Sequence, residues 1–443
     1  MPAVLPSERI GTVLAEKYRI DKLVGQGGMA VVFGATHRWT NRPVALKLLN
    51  HDISRHPDVV RRFLAEARSA AGLGHPNVVD VLDMGADADG TTFLVLELLN
   101  GEPSCARLSS GEVHCWGFGP LGDGSPFMNP TPVSVTGLTD AVEISVGGGI
   151  CARRAAGTVV CWGGIPPGDG SAGGNVTPIA AMGIADAAEV SVGPSHVCVR
   201  RSGGTVVCWG ANTYGQLGDG TMGPPPDRVV PAPVVGLSDA IAISASYQAT
   251  CAVRAGGTAV CWGYNEHGQI GDGTVGNWRT TPVPVMGLTD ATDVRVGSQH
   301  TCALRSGGGV VCWGYNDVGQ LGASTTSVGM VLTPRAVSGI TDAVELRTAR
   351  NSVCVRRRGG GVVCWGENMY GQVGDGTIVN PRDVPTDVMS LADAIGISVG
   401  TFHACAARST GGAACWGFNN YGQVGDGTTG IPRLRPVPVM GLP

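Results

Sequence analysis

The stretch TTPVPVMGLTDATDVRVGSQHTCALRSGGGVVCWGYNDVGQLG (residues 280–322) is one complete copy of a repeat that fills most of this 443-residue chain. It reads as a short Pro-Val strand, a turn, an alternating strand that ends in Val-Gly, a hairpin between two cysteines and a glycine-rich loop. Seven such cysteine pairs occur, and the second member always begins Cys-Trp-Gly, at Cys115, Cys161, Cys208, Cys261, Cys312, Cys364 and Cys415. A period near fifty residues with about four short strands predicts one β-propeller blade per repeat.

The ten-residue spacing within each cysteine pair predicts a β-hairpin with a three-residue loop. The third loop residue is glycine in every copy, at Gly111, Gly157, Gly204, Gly257, Gly308, Gly360 and Gly411. Glycine suits this place because the last residue of such a loop adopts the left-handed conformation. The two cysteines then face each other as a non-hydrogen-bonded pair, with Cα atoms about 4.5 Å apart, which a disulfide accepts.

This register allows seven disulfides, namely Cys105–Cys115, Cys151–Cys161, Cys198–Cys208, Cys251–Cys261, Cys302–Cys312, Cys354–Cys364 and Cys405–Cys415. Their formation would indicate an oxidising compartment. The opening MPAVLPSERIGTVLAEKYRI shows no export signal, and no apolar run is long enough to predict a membrane span, which favours the cytoplasm. The alternative that all fourteen cysteines are free, buried thiols stays open, and so does the compartment.

Charge and spacing narrow the classes of ligand. The net charge is −4, and all three lysines, Lys17, Lys22 and Lys47, precede the repeats, so we expect no nucleic-acid binding. Ten-residue cysteine spacing is unlike a zinc knuckle, and we predict no metal site.

Three histidines each stand two residues before the first cysteine of a pair, namely His196, His300 and His403. We expect each to donate or accept a hydrogen bond that holds a neighbouring loop.

Four glycine-rich loops carry a family resemblance. They are CWGANTYGQLGDGT from Cys208, CWGYNEHGQIGDGT from Cys261, CWGENMYGQVGDGT from Cys364 and CWGFNNYGQVGDGT from Cys415. Residues 102–443 resemble the regulator-of-chromosome-condensation repeat family, whose members form seven-bladed propellers. That family includes nucleotide exchange factors, chromatin binders, ubiquitin-ligase appendages and bacterial inhibitors of secreted enzymes. The resemblance therefore implies a monomeric propeller with a protein partner, and it does not name that partner.

The variable loops of the repeats contain one tryptophan outside the Cys-Trp-Gly triplets, Trp278, beside Arg279. Tryptophan and arginine are the residue types most often found at binding hot spots, so this pair is our candidate for partner binding. For the repeat tyrosines we expect blade packing and not partner binding; they are Tyr214, Tyr264, Tyr315, Tyr370 and Tyr421.

Residues 1–101 differ in kind. YRIDKLVGQGGMAVVFGATHRWTNRPVALKLL resembles the start of a bacterial serine/threonine protein kinase, with a glycine-rich loop, a strand bearing a lysine, and, further on, a helix motif and a hinge-like strand. The resemblance implies an ATP site formed by Gly25, Gly27, Ala30, Val32, Ala45, Lys47, Glu66 and Glu97. In it, Glu66 would hold Lys47 in an ion pair.

The second kinase lobe is missing from the sequence. No His-Arg-Asp motif and no Asp-Phe-Gly motif follow the hinge-like strand, although phosphoryl transfer needs them to position the hydroxyl and Mg²⁺. We therefore expect a mostly β protein in which a small α+β kinase-like segment precedes a seven-bladed propeller. That segment should have no kinase activity and at most weak ATP binding, and it could also be a fusion remnant without a role.

The junction between the two parts predicts a specific strand exchange. Aligning Cys105 with Cys151 places residues 94–100 where the other repeats have the strand that ends in Val-Gly. We predict that residues 94–100 supply this strand to the first blade and that the C-terminal RPVPVMGLP joins the same blade to close the ring.

Three functions remain open on the sequence. The favoured one is a protein-binding propeller with an inactive kinase-like segment. The second is an ATP-binding kinase fragment completed by another chain. The third is an exported propeller-type enzyme inhibitor, which requires oxidised cysteines.

Overall fold

The computed structural model describes residues 9–26, 30–38, 43–50, 58–61, 81–87, 91–97, 103–117, 119–126, 129–223, 226–323 and 329–442. Almost all regular structure in these ranges is β, and the chain divides into two compact units, Met1–Asn100 and Gly101–Pro443. Within the described ranges no helix has the length and apolar character needed to cross a bilayer.

The first unit is one antiparallel sheet with strand order β1-β2-β3-β4-β6-β5. Its strands are β1 Val13–Leu14, β2 Tyr18–Gln26, β3 Ala30–His37, β4 Pro43–Leu49, β5 Val81–Ala86 and β6 Thr92–Glu97, and residues 58–61 form a helical turn. Alternating apolar residues of these strands build its core, including Ile20, Phe33, Leu46 and Phe93.

The predicted strand exchange at the junction is wrong. The described part of residues 94–100 lies in β6, where Leu94–Glu97 pair with β4 on one side and with β5 on the other, up to Leu96. Both edges of β6 are therefore used inside the first unit, and a strand with two paired edges has no backbone groups left for another sheet.

The second unit is a propeller of seven sheets, which we number as blades 1–7 in chain order. Blade 1 has three described strands, and every other blade has four, in the order inner, second, third and outer.

Blade 1 is β7 Pro103–Arg107, β8 Val113–Gly117 and β9 Asn129–Ser134. Blade 2 is β10 Ala141–Val146, β11 Gly149–Arg154, β12 Val159–Gly163 and β13 Asn175–Ala180. Blade 3 is β14 Ala187–Val192, β15 His196–Arg201, β16 Val206–Gly210 and β17 Arg228–Pro233. Blade 4 is β18 Ala240–Ser246, β19 Ala249–Arg254, β20 Ala259–Gly263 and β21 Arg279–Pro284. Blade 5 is β22 Ala291–Val296, β23 His300–Arg305, β24 Val310–Tyr315 and β25 Met330–Ala336. Blade 6 is β26 Ala343–Thr348, β27 Ser352–Arg357, β28 Val362–Gly366 and β29 Arg382–Asp387. Blade 7 is β30 Ala394–Val399, β31 His403–Arg408, β32 Ala413–Gly417 and β33 Arg433–Pro438.

The cysteine hairpins have the predicted register. In blade 2, Cys151 faces Cys161, and the amide of Arg154 donates to the carbonyl of Thr158 to close a three-residue loop. The third loop residue has a positive φ in all seven hairpins, as predicted. Each cysteine pair is joined as a disulfide, with Cα atoms 4.0–4.1 Å apart.

The tryptophan of each Cys-Trp-Gly triplet packs against the preceding blade and is buried. In five blades its indole Nε1 donates to the carbonyl of a loop glutamine in that preceding blade, in the pairs Trp116–Gln423, Trp262–Gln216, Trp313–Gln269, Trp365–Gln320 and Trp416–Gln372. Trp209 uses the carbonyl of Pro166 instead. The Nε1 of Trp162 finds no acceptor among the described residues.

The ring closes between blades 7 and 1 through side chains. Ser104 and Trp116 of blade 1 both donate to the carbonyl of Gln423 in blade 7, at 2.8 and 2.9 Å. The C-terminal Pro-Val strand, β33, pairs with β32 of blade 7, so its predicted assignment to blade 1 is wrong. In every blade the Pro-Val strand is the outer strand that follows the cysteine hairpin of the same blade.

Candidate functional site

One end of the propeller carries the longest connections. Within a blade the turn between the inner and second strands and the loop between the third and outer strands lie at the same end, because the strands are antiparallel. We call this end the loop face. The cysteine hairpin loops lie at the opposite end.

The long loops are held by their own polar side chains. In blade 4 the side-chain oxygen of Asn265 accepts from the amide of Ile270, and its Nδ2 donates to the carbonyl of Thr274. Asp272 accepts from both the amide and the hydroxyl of Thr274. The same contacts recur at Asn419 and Asp426 in blade 7. The repeated Asn, Gln, Asp and Thr of these loops therefore build a fixed loop conformation.

Aromatic side chains line the loop face across blades 3, 4 and 5. Trp278 and Tyr264 each lie edge-on to Tyr214, with ring centroids 4.8 and 5.0 Å away. His267 extends the row to Tyr315, 5.0 Å between centroids. We define the aromatic patch as Tyr214, Tyr264, His267, Trp278 and Tyr315. Trp278 is 39% exposed and the other rings are half-buried.

Two exposed carboxylates, Glu266 and Asp317, border the aromatic patch. Glu266 accepts a hydrogen bond from the indole Nε1 of Trp278 at 3.1 Å. Burial, with the charge of Glu266, raises the pKa of Tyr264, and Asp317 raises the pKa of Tyr315. Burial lowers the pKa of His267, which leaves its ring neutral at pH 7. The patch is therefore aromatic and negatively charged.

The two residues predicted for partner binding have different surroundings. Trp278 belongs to the aromatic patch, whereas Arg279 pairs with Asp272 at 2.6 Å inside its own blade. Equivalent arginines pair with the equivalent aspartates in three other blades, as Arg228–Asp219, Arg382–Asp375 and Arg433–Asp426. Arg279 thus has a recurring contact within the loop scaffold.

The tyrosines of blades 3, 4 and 5 pack against aromatic rings at the loop face. Tyr214 contacts rings of the next blade, and Tyr264 and Tyr315 meet on either side of His267. The positions three and six residues after the second cysteine both point these rings to the loop face. A signal was present in the sequence, because aromatic residues recur at those two offsets.

A second aromatic cluster lies on the loop face of blades 6 and 7. It consists of Tyr370, Phe402, Phe418 and Tyr421, with neighbouring centroids 4.9–6.1 Å apart. Here the guanidinium of Arg350 lies over the ring of Phe402, 5.2 Å from its centroid. This cluster thus has a cation from its own chain.

The three repeat histidines are buried between blades. His196 Nε2 shares a hydrogen bond with the hydroxyl of Thr250, and His403 Nε2 with that of Ser104, each at 2.8 Å. The predicted hydrogen bond is therefore present at these two histidines, but its partner lies on a strand of the next blade and not on a loop. Neither ring nitrogen of His300 has a hydrogen-bond partner among the described residues. Nowhere in the described part of the chain do three or more His, Cys, Asp or Glu side chains converge as a metal site would require.

The kinase-like residues are only partly described. Lys47 lies in the middle of β4, opposite Val32 of β3 and Leu94 of β6, and is half-buried. The backbones of Gly25, Ala30, Ala45 and Glu97 lie in β2, β3, β4 and β6. Gly27 and Glu66 lie outside the described residues, and so does the predicted Lys47–Glu66 pair.

Comparison with known families identifies both units. The protein kinase domain model matches residues 18–114. Two models of the regulator of chromosome condensation (RCC1) repeat match residues 187–216, 240–269, 291–320 and 394–423, and residues 203–253, 257–304 and 359–407. The propeller therefore contains regulator of chromosome condensation repeats, and the unit before it is kinase-like, since it matches part of the protein kinase domain model.

Two curated relatives are bacterial protein kinases, and each matches about a fifth of this chain. Serine/threonine-protein kinase PknA of Mycobacterium tuberculosis is 42% identical over 101 residues, 22% of this chain and 23% of that protein. Serine/threonine-protein kinase pkn3 of Myxococcus xanthus is 40% identical over 95 residues, 21% of this chain and 17% of that protein. This chain spans less than a quarter of the length of these relatives.

Solved structures share the propeller fold. A chain in the crystal structure of Kap60 bound to yeast RCC1 (Prp20) has a TM-score of 0.65 and 18% identity, over 77% of this chain and 84% of that one. Human WBSCR16 has a TM-score of 0.65 and 21% identity, over 74% of this chain and 94% of that one. At these identities the likeness shows the fold alone.

Proposed function

We propose that this chain is a monomeric, protein-binding β-propeller, residues 102–443, joined to a kinase-like domain, residues 1–101, that does not transfer phosphate and binds ATP weakly. The observation that carries the proposal is the aromatic patch on the loop face. Half-buried aromatic rings on a rigid scaffold are the usual anchors of protein interfaces, because they bury much surface and lose little conformational entropy.

Two solved structures of the propeller fold support a protein partner. One is yeast RCC1 (Prp20) bound to Kap60, and the other is Prp20p from Saccharomyces cerevisiae, which is described with binding to Gsp1p and histones. We infer a partner of the same broad class, a protein, for this chain. The low net charge and the absence of lysine from the propeller sequence speak against a nucleic acid as the main ligand.

The proposed inactivity of the kinase-like domain rests on chemistry that the sequence does not encode. Phosphoryl transfer needs an aspartate to orient the attacking hydroxyl and side chains to hold Mg²⁺, and both come from the second kinase lobe. The propeller strands begin at Pro103, where that lobe would follow. Lys47 on β4 remains able to meet nucleotide phosphates, but one wall of an ATP cleft gives weak binding and, on this proposal, no metal site.

Nucleotide titration tests this part. We expect the full chain to bind a fluorescent ATP analogue weakly and Lys47→Ala to weaken it about tenfold or more, because a charge-assisted contact is lost. With radiolabelled ATP, Mg²⁺ and a generic protein substrate, wild type and Lys47→Ala should both transfer no phosphate. Phosphate transfer by the wild-type chain with no other protein added would overturn the proposal. Phosphate transfer that needs a second protein would favour a kinase fragment completed by another chain.

Partner capture tests the propeller. The full chain, immobilised and exposed to extract of its native host, should retain one protein in stoichiometric amount, and Trp278→Ala should retain less of it. Met286, exposed in the turn after β21 at the opposite end, provides the control Met286→Ala. If neither wild type nor control retains any protein, the binding function is rejected.

The seven disulfides favour a second candidate, an exported propeller-type enzyme inhibitor. Disulfides of this number are consistent with an oxidising compartment. Counting free thiols in denatured, unreduced protein from the native host separates the two: none supports export, and fourteen removes this candidate.

A further inference from the structure

We propose that the aromatic patch holds an arginine or lysine side chain from a basic segment of the protein partner. The inference rests on the proposed partner-binding function and specifies the chemistry that the partner presents. It follows from three features among the described residues: the rings and carboxylates of the patch lie together, the basic groups Arg279 and His267 are paired or neutral, and the second aromatic cluster has a cation where the patch has none.

The first feature is the combination of rings and carboxylates. Tyr264 and Trp278 lie with ring centroids 6.3 Å apart, and Glu266 reaches the edge of this pair through its hydrogen bond with the indole. A cation over the ring faces would be attracted both by the aromatic quadrupoles and by Glu266. Asp317 supplies the same attraction beside Tyr315 at the other end of the patch.

The second feature is that the nearby basic groups are neutral or already paired. The guanidinium of Arg279 donates to Asp272 and to Thr274. His267, the central ring of the patch, is neutral because burial lowers its pKa. The charge of Glu266 and Asp317 is therefore not balanced by these two residues.

The third feature is a comparison within the same molecule. In the second aromatic cluster Arg350 stands four residues before the first cysteine of blade 6 and places its guanidinium over Phe402. The residues at the same position in blades 3, 4 and 5 are Pro194, Tyr247 and Ser298. The chain thus supplies a cation to one aromatic cluster and no cation at the equivalent positions around the other, which a partner's side chain would complete.

A pair of synthetic peptides tests the inference directly on the full chain. The probe is acetyl-GRGRGRG-amide, and the matched peptide carries citrulline, which has the shape of arginine without its charge, at each arginine. We expect the arginine peptide to bind wild type, as followed by the shielding of exposed Trp278 from acrylamide and by calorimetry, and the citrulline peptide to bind at least about tenfold more weakly.

Two variants localise the binding. Glu266→Gln/Asp317→Asn and Trp278→Ala should each weaken the arginine peptide about tenfold or more. The control Glu112→Gln/Asp387→Asn removes the same charge at the opposite end of the propeller and should leave affinity unchanged. Equal binding of both peptides, equal losses in the control, or no binding to wild type at millimolar peptide would each overturn the inference.

The capture experiment separates this inference from the proposed function. A partner retained equally by wild type and by Glu266→Gln/Asp317→Asn would reject the cation site and leave the binding function standing. Failure of the full chain to retain any protein would reject the binding function itself.

Discussion

At the scale of single residues, each position of the Cys-Trp-Gly triplet has a separate contact. In blade 3, Cys208 bonds to Cys198 across the hairpin, and Trp209 donates to the preceding blade. Gly210 has a φ of +108°, and a Cβ there would come within 2.5 Å of the carbonyl oxygen of Ser195. Three independent requirements at adjacent positions explain why the triplet recurs without change in all seven units.

Two matched variants measure how much the hydrogen bond from a tryptophan Nε1 to the preceding blade contributes to the free energy of unfolding. Trp416→Phe removes the donor to Gln372, whereas Trp162→Phe removes an Nε1 that has no partner among the described residues. Both variants lose similar buried volume, so we expect Trp416→Phe to cost about 1–3 kcal/mol more in unfolding free energy, since a buried carbonyl loses its donor. Denaturant titration measures the difference, and equal losses of unfolding free energy would show that this hydrogen bond contributes nothing.

The buried histidines make stability depend on pH. Burial lowers the pKa of His196 and His403 to about 4 and that of His300 to about 3, from an ordinary value of 6.5. The unfolded chain therefore binds more protons in this window. The free energy of unfolding should therefore keep the full contribution of the neutral histidines above pH 6.5 and decrease as the pH drops from 6.5 towards 4.

His300→Leu tests this dependence with least disturbance, because neither ring nitrogen has a hydrogen-bond partner among the described residues. Between pH 6.5 and 5 we expect the variant to lose about 2 kcal/mol less unfolding free energy than wild type, at about 1.4 kcal/mol per pH unit. Unfolding curves at several pH values give the comparison. Parallel pH profiles would mean that His300 is charged or accessible in the folded protein.

The histidines also show where sequence prediction works and where it fails. A hydrogen bond that holds a neighbouring loop was predicted for all three. His196 and His403 do form a hydrogen bond, but with a hydroxyl on a strand of the next blade. The partner hydroxyl comes from the residue before the first cysteine of the following blade, which is Thr250 or Ser104. For His300 that residue is Val353, which has no hydroxyl. The contact depends on two repeats at once, so reading one repeat cannot predict it.

At the scale of elements, the cysteine hairpin was the easiest to predict. The cysteine spacing and the loop glycine each predict its register, and the structure shows both that register and the positive φ of the glycine.

The C-terminal Pro-Val strand was assigned to the wrong blade. A repeating sequence gives the period but not the point where one blade ends, and only the pairing of β33 with β32 sets that point.

Each disulfide should stabilise its blade moderately. The cysteines are ten residues apart, and closing so short a loop contributes about 2–3 kcal/mol on the chain-entropy model. We expect Cys198→Ala/Cys208→Ala to lose about this much unfolding free energy under oxidising conditions. With all disulfides first reduced, wild type and variant should differ far less, and an equal gap in both conditions would mean that packing of the sulfur atoms, not the bond, is responsible.

At the scale of the whole molecule, the ring is closed by side chains between blades 7 and 1. The contact among Ser104, His403 and Gln423 repeats the one among Thr250, His196 and Gln216 between blades 3 and 4. The same interface therefore serves both closure and ordinary blade packing. No exchange of strands between the ends of the propeller is seen in the described residues.

A matched pair of substitutions tests this closure. Ser104→Ala and Thr250→Val each remove one buried hydroxyl that joins a histidine to a glutamine carbonyl. If the seam between blades 7 and 1 is formed as the others are, each should lower unfolding free energy by about 1–3 kcal/mol. A measurable loss for Thr250→Val with none for Ser104→Ala would show that the ring is open at this seam.

The sequence by itself determined the number of blades, the hairpin register and which cysteines face each other, because these depend on residues near one another in the chain. It also predicted the kinase-like part and offered Trp278 as a candidate for partner binding, which stays a prediction. Only the tertiary structure decided that β6 stays in the first unit, that β33 completes blade 7 and that tyrosines of three blades form one patch with Trp278. Those outcomes depend on which strand edges are already paired and on which loops meet in space, and neither is written in any single repeat.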